Sequence, residues 1–354
     1  MNKSNKPNVT PLIRQMSFVE PTEVSWLWPG RIALGRITVL AGDAGGGKSF
    51  LCCDIAARIS SGMPWVEDCP CPQADVVIMN AEDDPSDTIR PRLEAMRADL
   101  NRVHLLEGQV RTGASGDKQT VPISLKDIET IEETLRRLHD PKLIIIDPIG
   151  SYFGSGADSH RDTDVRALLA PLGQIARDHK VAILLVAHYR KSPGDRADDR
   201  VMGSRAFTGI ARSVHHLLPD PSDAERRLLL PGKSNLGKAP NGLAFTITGE
   251  PARIEWSDEP VEFTAEEVMS AFTAKSGNRA RDNAKAWLAE TLREAPLPAK
   301  DIIARAEEAG IKERTLNRAK REAGVKSSPR QGPDGKHWVW QSPAAYTDDG
   351  IEPL

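Results

Sequence analysis

The eight residues "GDAGGGKS", Gly42 to Ser49, constrain this chain more than any other stretch. They follow an apolar run, "ITVLA" (37–41), and open a helical pattern over 48–61. The spacing is G-x-x-x-x-G-K-S. Glycine tolerates positive φ and lets backbone approach a ligand closely. Gly42, Gly45, Gly46 and Gly47 therefore permit a loop whose N–H groups, from Gly45 to Lys48, wrap an anion such as a phosphate. The helix N-terminus adds its dipole to that attraction. Lys48 would reach the outer phosphates of a nucleotide and Ser49 would hold Mg²⁺. A glycine-rich turn with a chance Lys-Ser would need neither the strand before it nor the helix after it.

The rest of the sequence supplies the sheet that such a strand–loop–helix requires. Apolar runs recur at "VVIMN" (76–80), "LIIID" (143–147) and "VAILLVA" (181–187). Helical patterns separate them near 48–61, 85–99, 125–139 and 164–178. Continuous apolar strands alternating with helices imply a parallel sheet covered on both faces. Right-handed crossovers make it a doubly wound α/β fold. After Ala187 the pattern shortens. "VHHLLPD", "RRLLLPGKS", "AFTITGE" and "ARIEWSD" read as an antiparallel extension of the same sheet.

Two carboxylates fall at strand tips. Asp147 ends a buried strand, where a Mg²⁺-coordinating Asp sits in a doubly wound sheet. Pro148 follows it, so the adjacent Glu that serves many motor ATPases as base is missing. "NAEDDPSD" puts Glu82 at the tip of the strand after the phosphate-loop helix. In a parallel sheet that tip shares the phosphate-loop edge, from which a carboxylate can polarise a water. The competing reading of Glu82 is a solvated loop acid. Asp83 and Asp84 fit supporting roles, one of them capping the helix that begins at Pro85. His188 ends the fourth strand at the same edge, where an imidazole can sense a terminal phosphate; structural histidines are commoner.

Together, "WLWPGRIALGRITVLAGDAGGGKS", "NAEDD", "LIIIDP", "LLVAHYRK" and "GSRAFTGIARS" resemble the RecA-like ATPases related to the plasmid replication helicase RepA, over roughly residues 21–256. The resemblance implies Lys48 and Ser49 for ATP and Mg²⁺, Asp147 for the metal, Glu82 as base and His188 as sensor. It also implies a ring-shaped homo-hexamer with ATP at subunit interfaces, and hence a cation inserted from the neighbour. Arg212 is the first candidate, with Arg205 and Lys233 after it. The loop 189–204 is rich in Gly, Pro and charge. In RecA-like proteins it faces DNA, so Arg190 and Lys191, with Arg196 and Arg200, are candidate phosphate contacts; Asp195, Asp198 and Asp199 dilute that field.

The net charge of −3 over 354 residues advertises no nucleic-acid partner, but its distribution is uneven. Residues 279–341 hold 14 Lys and Arg against 9 Asp and Glu, so this stretch carries +5 and the remainder −8. "AKDIIARAEEAG" reads as an amphipathic helix with Ile302, Ile303, Ala306 and Ala309 inward, stopped by Gly310. "KERTLNRAKREAG" is a second helix, and "KHWVW" a strand after the turn "RQGPDGK". This is the layout of a winged helix-turn-helix, and it resembles modules appended to mobile-element ATPases and primases. Arg314, Thr315, Asn317, Arg318, Lys320 and Arg321 are candidate duplex-DNA contacts there. The bland alternative is a protein-binding module with a solvated basic face.

The expected organisation is an arm (1–20), a RecA-like ATPase domain (21–258), a linker (259–280), a winged helix-turn-helix (281–342) and an acidic tail (343–354). Cys52, Cys53, Cys69 and Cys71 lack metal or redox spacing and suit a reduced, cytoplasmic protein. No run approaches the ~20 apolar residues of a bilayer span. The expected activity is ATP hydrolysis coupled to DNA unwinding in the replication of a plasmid, phage or integrated element. Single-stranded DNA would lie in the ring. The alternative is an ATP-switched DNA-binding regulator that does not unwind.

Overall fold

The computed structural model describes residues 10–113, 116–154, 156, 158, 161–190, 197–201, 205–259, 261–332 and 335–343. The chain divides into two compact units, Met1–Glu266 and Glu267–Leu354.

The first unit is built on one nine-stranded sheet. Its strands in chain order are β1 (Ile37–Gly42), β2 (Asp75–Asn80), β3 (Val103–Leu105), β4 (Pro141–Asp147), β5 (Ala182–His188), β6 (Ser213–Pro219), β7 (Arg226–Ser234), β8 (Leu243–Thr248) and β9 (Arg253–Trp256). Their spatial order is β9-β8-β7-β6-β1-β5-β4-β2-β3. From β6 to β3 every neighbouring pair is parallel; β7, β8 and β9 extend the sheet antiparallel. β1 is buried along its whole length, as are Leu143–Asp147 of β4 and Ala182–Ala187 of β5. Strands covered on both faces have no solvent side, which is why their sequences run apolar without alternation.

Helices α1 (Lys48–Ser61), α2 (Arg90–Ala95), α3 (Ile128–Arg137), α4 (Asp162–His179) and α5 (Ala206–Ile210) join the parallel strands. Leu51, Ile55 and Ile59 of α1 lie in a core that also contains Ile78, Ile145 and Leu184 from the sheet. Each fully buried aliphatic side chain contributes about 1.5–3 kcal/mol. Two features differ from the sequence reading. The first short strand after Ala187, β6, is parallel to β1, because α5 carries the chain back across the sheet before β6 begins. The helical stretch near 85–99 is a π-turn (Pro85–Ile89) followed by the short α2, which ends at Met96 ahead of Arg97 at φ +61°.

The helix α6 (Ala265–Thr291), which enters the second unit at Glu267, covers most of the polar, helix-like stretch expected as a linker. It is followed by β10 (Leu297–Pro298), α7 (Ala299–Glu308), α8 (Glu313–Glu322), β11 (Lys326–Gly332) and β12 (Gly335–Gln341). The strands form a sheet in the order β10-β12-β11. Leu288, Leu292, Ile302, Ala306, Leu316 and Trp340 form its core. Ala309, expected inward, is exposed, because it lies past the last turn of α7 as that helix ends at Gly310. Among the described residues no helix is long and apolar enough to cross a membrane.

Candidate active site

The parallel register delivers the motifs to one edge. Gly42 pairs with His188 and Asn80 with Asp147, so β1 ends level with β5 and β2 with β4, while β5 runs two residues beyond Asp147. Gly42 has no room for a side chain: a Cβ would lie 2.6 Å from the Leu217 carbonyl oxygen of β6. Gly47 caps α1 at φ +95°, a conformation that costs other residues strain. These two glycines let the loop turn within reach of the neighbouring strand and aim the first amides of α1 outward. The resulting pocket is lined by Gly45–Phe50, Glu82, Asp83, Arg92, Asp147, His188 and Ile247, and has a volume of about 250 Å³.

Lys48 is buried at the first position of α1. Its ammonium donates to the carbonyls of Gly42 (3.1 Å) and Asp43 (2.7 Å) and lies 3.3 Å from His188 Nδ1. Burial lowers its pKa, against the pull of Asp147. The Ser49 hydroxyl donates to Asp147 Oδ2 at 2.7 Å. Burial raises the Asp147 pKa, the Ser49 hydrogen bond and Lys48 oppose that, and Glu82 adds to it. A hydroxyl and a carboxylate placed side by side are the hard oxygen donors that suit Mg²⁺ bound with a phosphate.

Asn80 shapes the next element. Its side-chain oxygen accepts from the amides of Glu82 (2.9 Å) and Asp83 (2.7 Å), turning the chain sharply as β2 ends. Glu82 is thereby presented at the pocket, 3.9 Å from His188 Nε2. Asp84 caps the following turn, accepting from the amides of Ser86 (2.7 Å) and Asp87 (3.3 Å), the supporting role expected for one of these acids. Asp83 pairs with Arg92 at 3.0 Å, and the Arg92 guanidinium lies 4.2 Å from the centre of the Phe50 ring. Sequence reasoning missed Arg92. The available signal was a cation ten residues beyond Glu82, in the helical pattern that follows the same strand tip.

Behind His188 a buried relay fixes the chain. The Tyr189 hydroxyl lies 2.8 Å from His216 Nδ1, and His216 Nε2 lies 2.9 Å from Asp198 Oδ1. His216 on β6 thus holds both ends of the segment that leaves β5. A Cβ on Gly232 would lie 2.5 Å from His216 Nε2 and 2.6 Å from Asp198 Oδ1, so the relay depends on glycine there.

The expected interface cations are not in this pocket. Arg212 precedes β6 and its amide bonds to the Ile37 carbonyl, at the opposite edge of the sheet. Its side chain is exposed. The Lys233 ammonium donates to the carbonyls of Thr208 (2.6 Å), Ala211 (3.2 Å) and Gly209 (3.3 Å), closing the C-terminal end of α5. Arg205 is exposed and pairs with Asp199 at 3.2 Å. Arg190 is half-buried and donates to the carbonyl of Asp199 in its own loop. Lys191 and Arg196 lie outside the described residues.

In the second unit α8 buries Leu316 and Ala319 and exposes Arg314, Asn317, Arg318 and Arg321. Thr315 is half-buried. Lys320 lies 4.0 Å from the Trp340 ring centre, and Arg318 pairs with Glu322 at 3.3 Å. Four of the six candidate contacts thus share an exposed face, while Lys320 is drawn toward the core aromatic.

Comparison with known proteins places these features in context. The model of a family described as an AAA domain matches residues 6–194. Two curated relatives, both "DNA repair protein RadA" of Mycobacterium tuberculosis (strains CDC 1551 / Oshkosh and ATCC 25618 / H37Rv), are 29% identical over 199 residues, which is 56% of this chain. The match spans only 35% of the length of either relative.

Proposed function

The chain belongs to the AAA domain family, and from that premise we propose that it is a Mg²⁺-dependent ATPase of the RecA-like, RepA-related type that works on DNA. The observation that carries this reading is the joint placement of Lys48, the Ser49–Asp147 pair, Glu82 and His188 at one sheet edge. In this reading the loop amides and Lys48 bind the triphosphate. Ser49 and Asp147 hold Mg²⁺, which offsets phosphate charge. Glu82 accepts the proton of the attacking water, and His188 reports the state of the terminal phosphate to the segment that Tyr189 anchors. Such catalysis is mostly positioning and electrostatic stabilisation.

Arg212 is the trans-acting cation of this proposal. Its guanidinium is exposed at the edge away from its own pocket, whereas every donor direction of Lys233 is taken by α5 carbonyls. A cation supplied in trans is worth about 10³–10⁵ in rate. The second unit acts as a winged helix-turn-helix whose exposed α8 face meets duplex DNA. A homo-hexameric ring around single-stranded DNA, in replication of a mobile element, completes the reading. The printed name of the relatives, a DNA repair protein, supports a DNA-linked role.

The deciding experiment is the ATP hydrolysis rate with and without single-stranded DNA, alongside a mass measurement in ATP. Stimulation by DNA together with an ATP-dependent ring is expected; turnover indifferent to DNA would sink the proposal. A second reading, an ATP-switched DNA-binding regulator, is favoured by Arg190 being turned onto its own loop. Binding and hydrolysis without strand displacement would select it.

A further inference from the structure

At the opposite edge of the sheet from the phosphate loop lies a second cleft, of about 340 Å³. Its walls come from the start of β1, one face of α4 and the end of α5. Four guanidinium groups line it: Arg36, Arg166, Arg177 and Arg212. Arg36 donates to the Gly35 carbonyl and Arg177 to the Gln174 side chain at 2.6 Å. None of the four forms an ion pair with a carboxylate among the described residues. Arg166, Arg177 and Arg212 are exposed and Arg36 is half-buried, which leaves their guanidiniums open to an anion of several charges.

The floor of the cleft keeps these groups uncovered. Gly173 sits inside α4, where glycine costs about 1 kcal/mol against alanine. A Cβ there would meet Arg177 Nη1 at 3.6 Å and Ile37 at 3.8 Å, ordinary contacts, so alanine would fit. A Cβ on Gly209 would lie 3.4 Å from Arg166 Nη2. Both glycines therefore bare a guanidinium rather than relieve a clash.

We infer that this cleft is a second oligophosphate site, built for the two or three linked phosphates of a diphosphate or triphosphate group. Guanidinium forks match phosphate oxygens in pairs, and a row of them suits linked phosphates better than a single ion. The occupant is a free oligophosphate, distinct from a nucleotide held by the phosphate loop of a second copy of the chain. The site does not depend on the hydrolytic reading, since none of Arg36, Arg166 and Arg177 reaches the phosphate-loop pocket.

The test titrates the full chain with inorganic tripolyphosphate by calorimetry and repeats the titration with ATP while following mass. The double variant Arg166→Ala/Arg177→Ala, which leaves Arg212 in place, is compared throughout. A free ligand predicts two equivalents per chain at unchanged mass, with one lost in the variant or weakened about 10- to 100-fold. One equivalent of ATP per chain with a mass increase that the variant loses would mark a contact between copies and overturn the inference. Equal stoichiometry and equal mass behaviour in the two proteins would overturn the inference. So would DNA binding lost in the variant but not displaced by tripolyphosphate. The single variant Arg177→Gln, which alters one exposed side chain, guards against a folding artefact: it should stay folded and still weaken the second equivalent.

Discussion

The ammonium of Lys48 lies 3.3 Å from Nδ1 of His188, across the boundary between two adjacent strands. Lysine has only donors, so Nδ1 must accept, and the ring proton sits on Nε2, facing Glu82. Burial lowers the His188 pKa from 6.5, and the nearby Lys48 charge lowers it further. The folded state thus prefers neutral imidazole. Its contribution to stability is complete above pH 6.5 and is lost as pH falls through the lowered pKa. ATP turnover should fall on that acid limb as the ring gains a proton and repels Lys48. The check is a pH–rate profile of His188→Gln, in which this acid limb should flatten.

Glu82→Gln keeps the shape of the side chain and removes its basicity. Nucleotide binding should persist while turnover falls by about 10²–10⁴. A filter-binding assay beside steady-state hydrolysis separates the two effects, and full activity in the variant would exclude Glu82 as base.

Arg92→Ala removes the Asp83 ion pair and uncovers Phe50 in the pocket. Loss of that internal cation–ring contact should lower stability by roughly 0.5–2 kcal/mol, read as a lowered denaturant midpoint. The KM for ATP should rise as well, because Arg92 lines the pocket beside Phe50.

What the sequence made legible here is periodic or local. The buried strands showed themselves because burial on both faces makes every position apolar, as in "LIIID". The phosphate loop showed itself because its glycines, lysine and serine are contiguous. Glu82 could be placed because strand tips in a parallel sheet share an edge. The Tyr189–His216–Asp198 relay was not legible. Its middle member lies on another strand, and two adjacent histidines in "VHHLL" look alike until one is seen to face Tyr189. The direction of β6 was missed because α5 is only five residues long and its crossover left little helical pattern. Lys233 read as a free cation because capping of a distant helix end leaves no mark in its own neighbourhood.

Gly232→Ala should break the relay. The added Cβ would overlap His216 and Asp198, and overpacking of this kind costs about 1–3 kcal/mol. A lowered denaturant midpoint is the expected result, together with faster amide exchange in residues 197–201. Tyr189→Phe, which removes one buried hydrogen bond without overlap, should cost about 0.5–1.5 kcal/mol by the same measurement.

Lys233→Met retains the apolar stem and deletes the ammonium that closes α5. The three carbonyls it serves lose a charged donor, with an expected loss of about 1.5–3 kcal/mol. Hydrogen exchange confined to residues 206–212 would identify the cause as helix capping, and ATP binding to the variant's own pocket should be unchanged.

The phosphate loop stands at one end of β1 and the arginine cleft at the other, separated by a single six-residue strand. The first unit is therefore polar in the manner of a magnet, with the arginine crevice at one end of β1 and the phosphate loop at the other. Copies that meet through unlike ends add heterologously, head to tail, and a two-fold dimer cannot use that contact. The angle turned at each addition then decides between closure and endless growth. A substitution that tilts the cleft by a few degrees would then change whether such a contact closes, without touching either set of chemical groups.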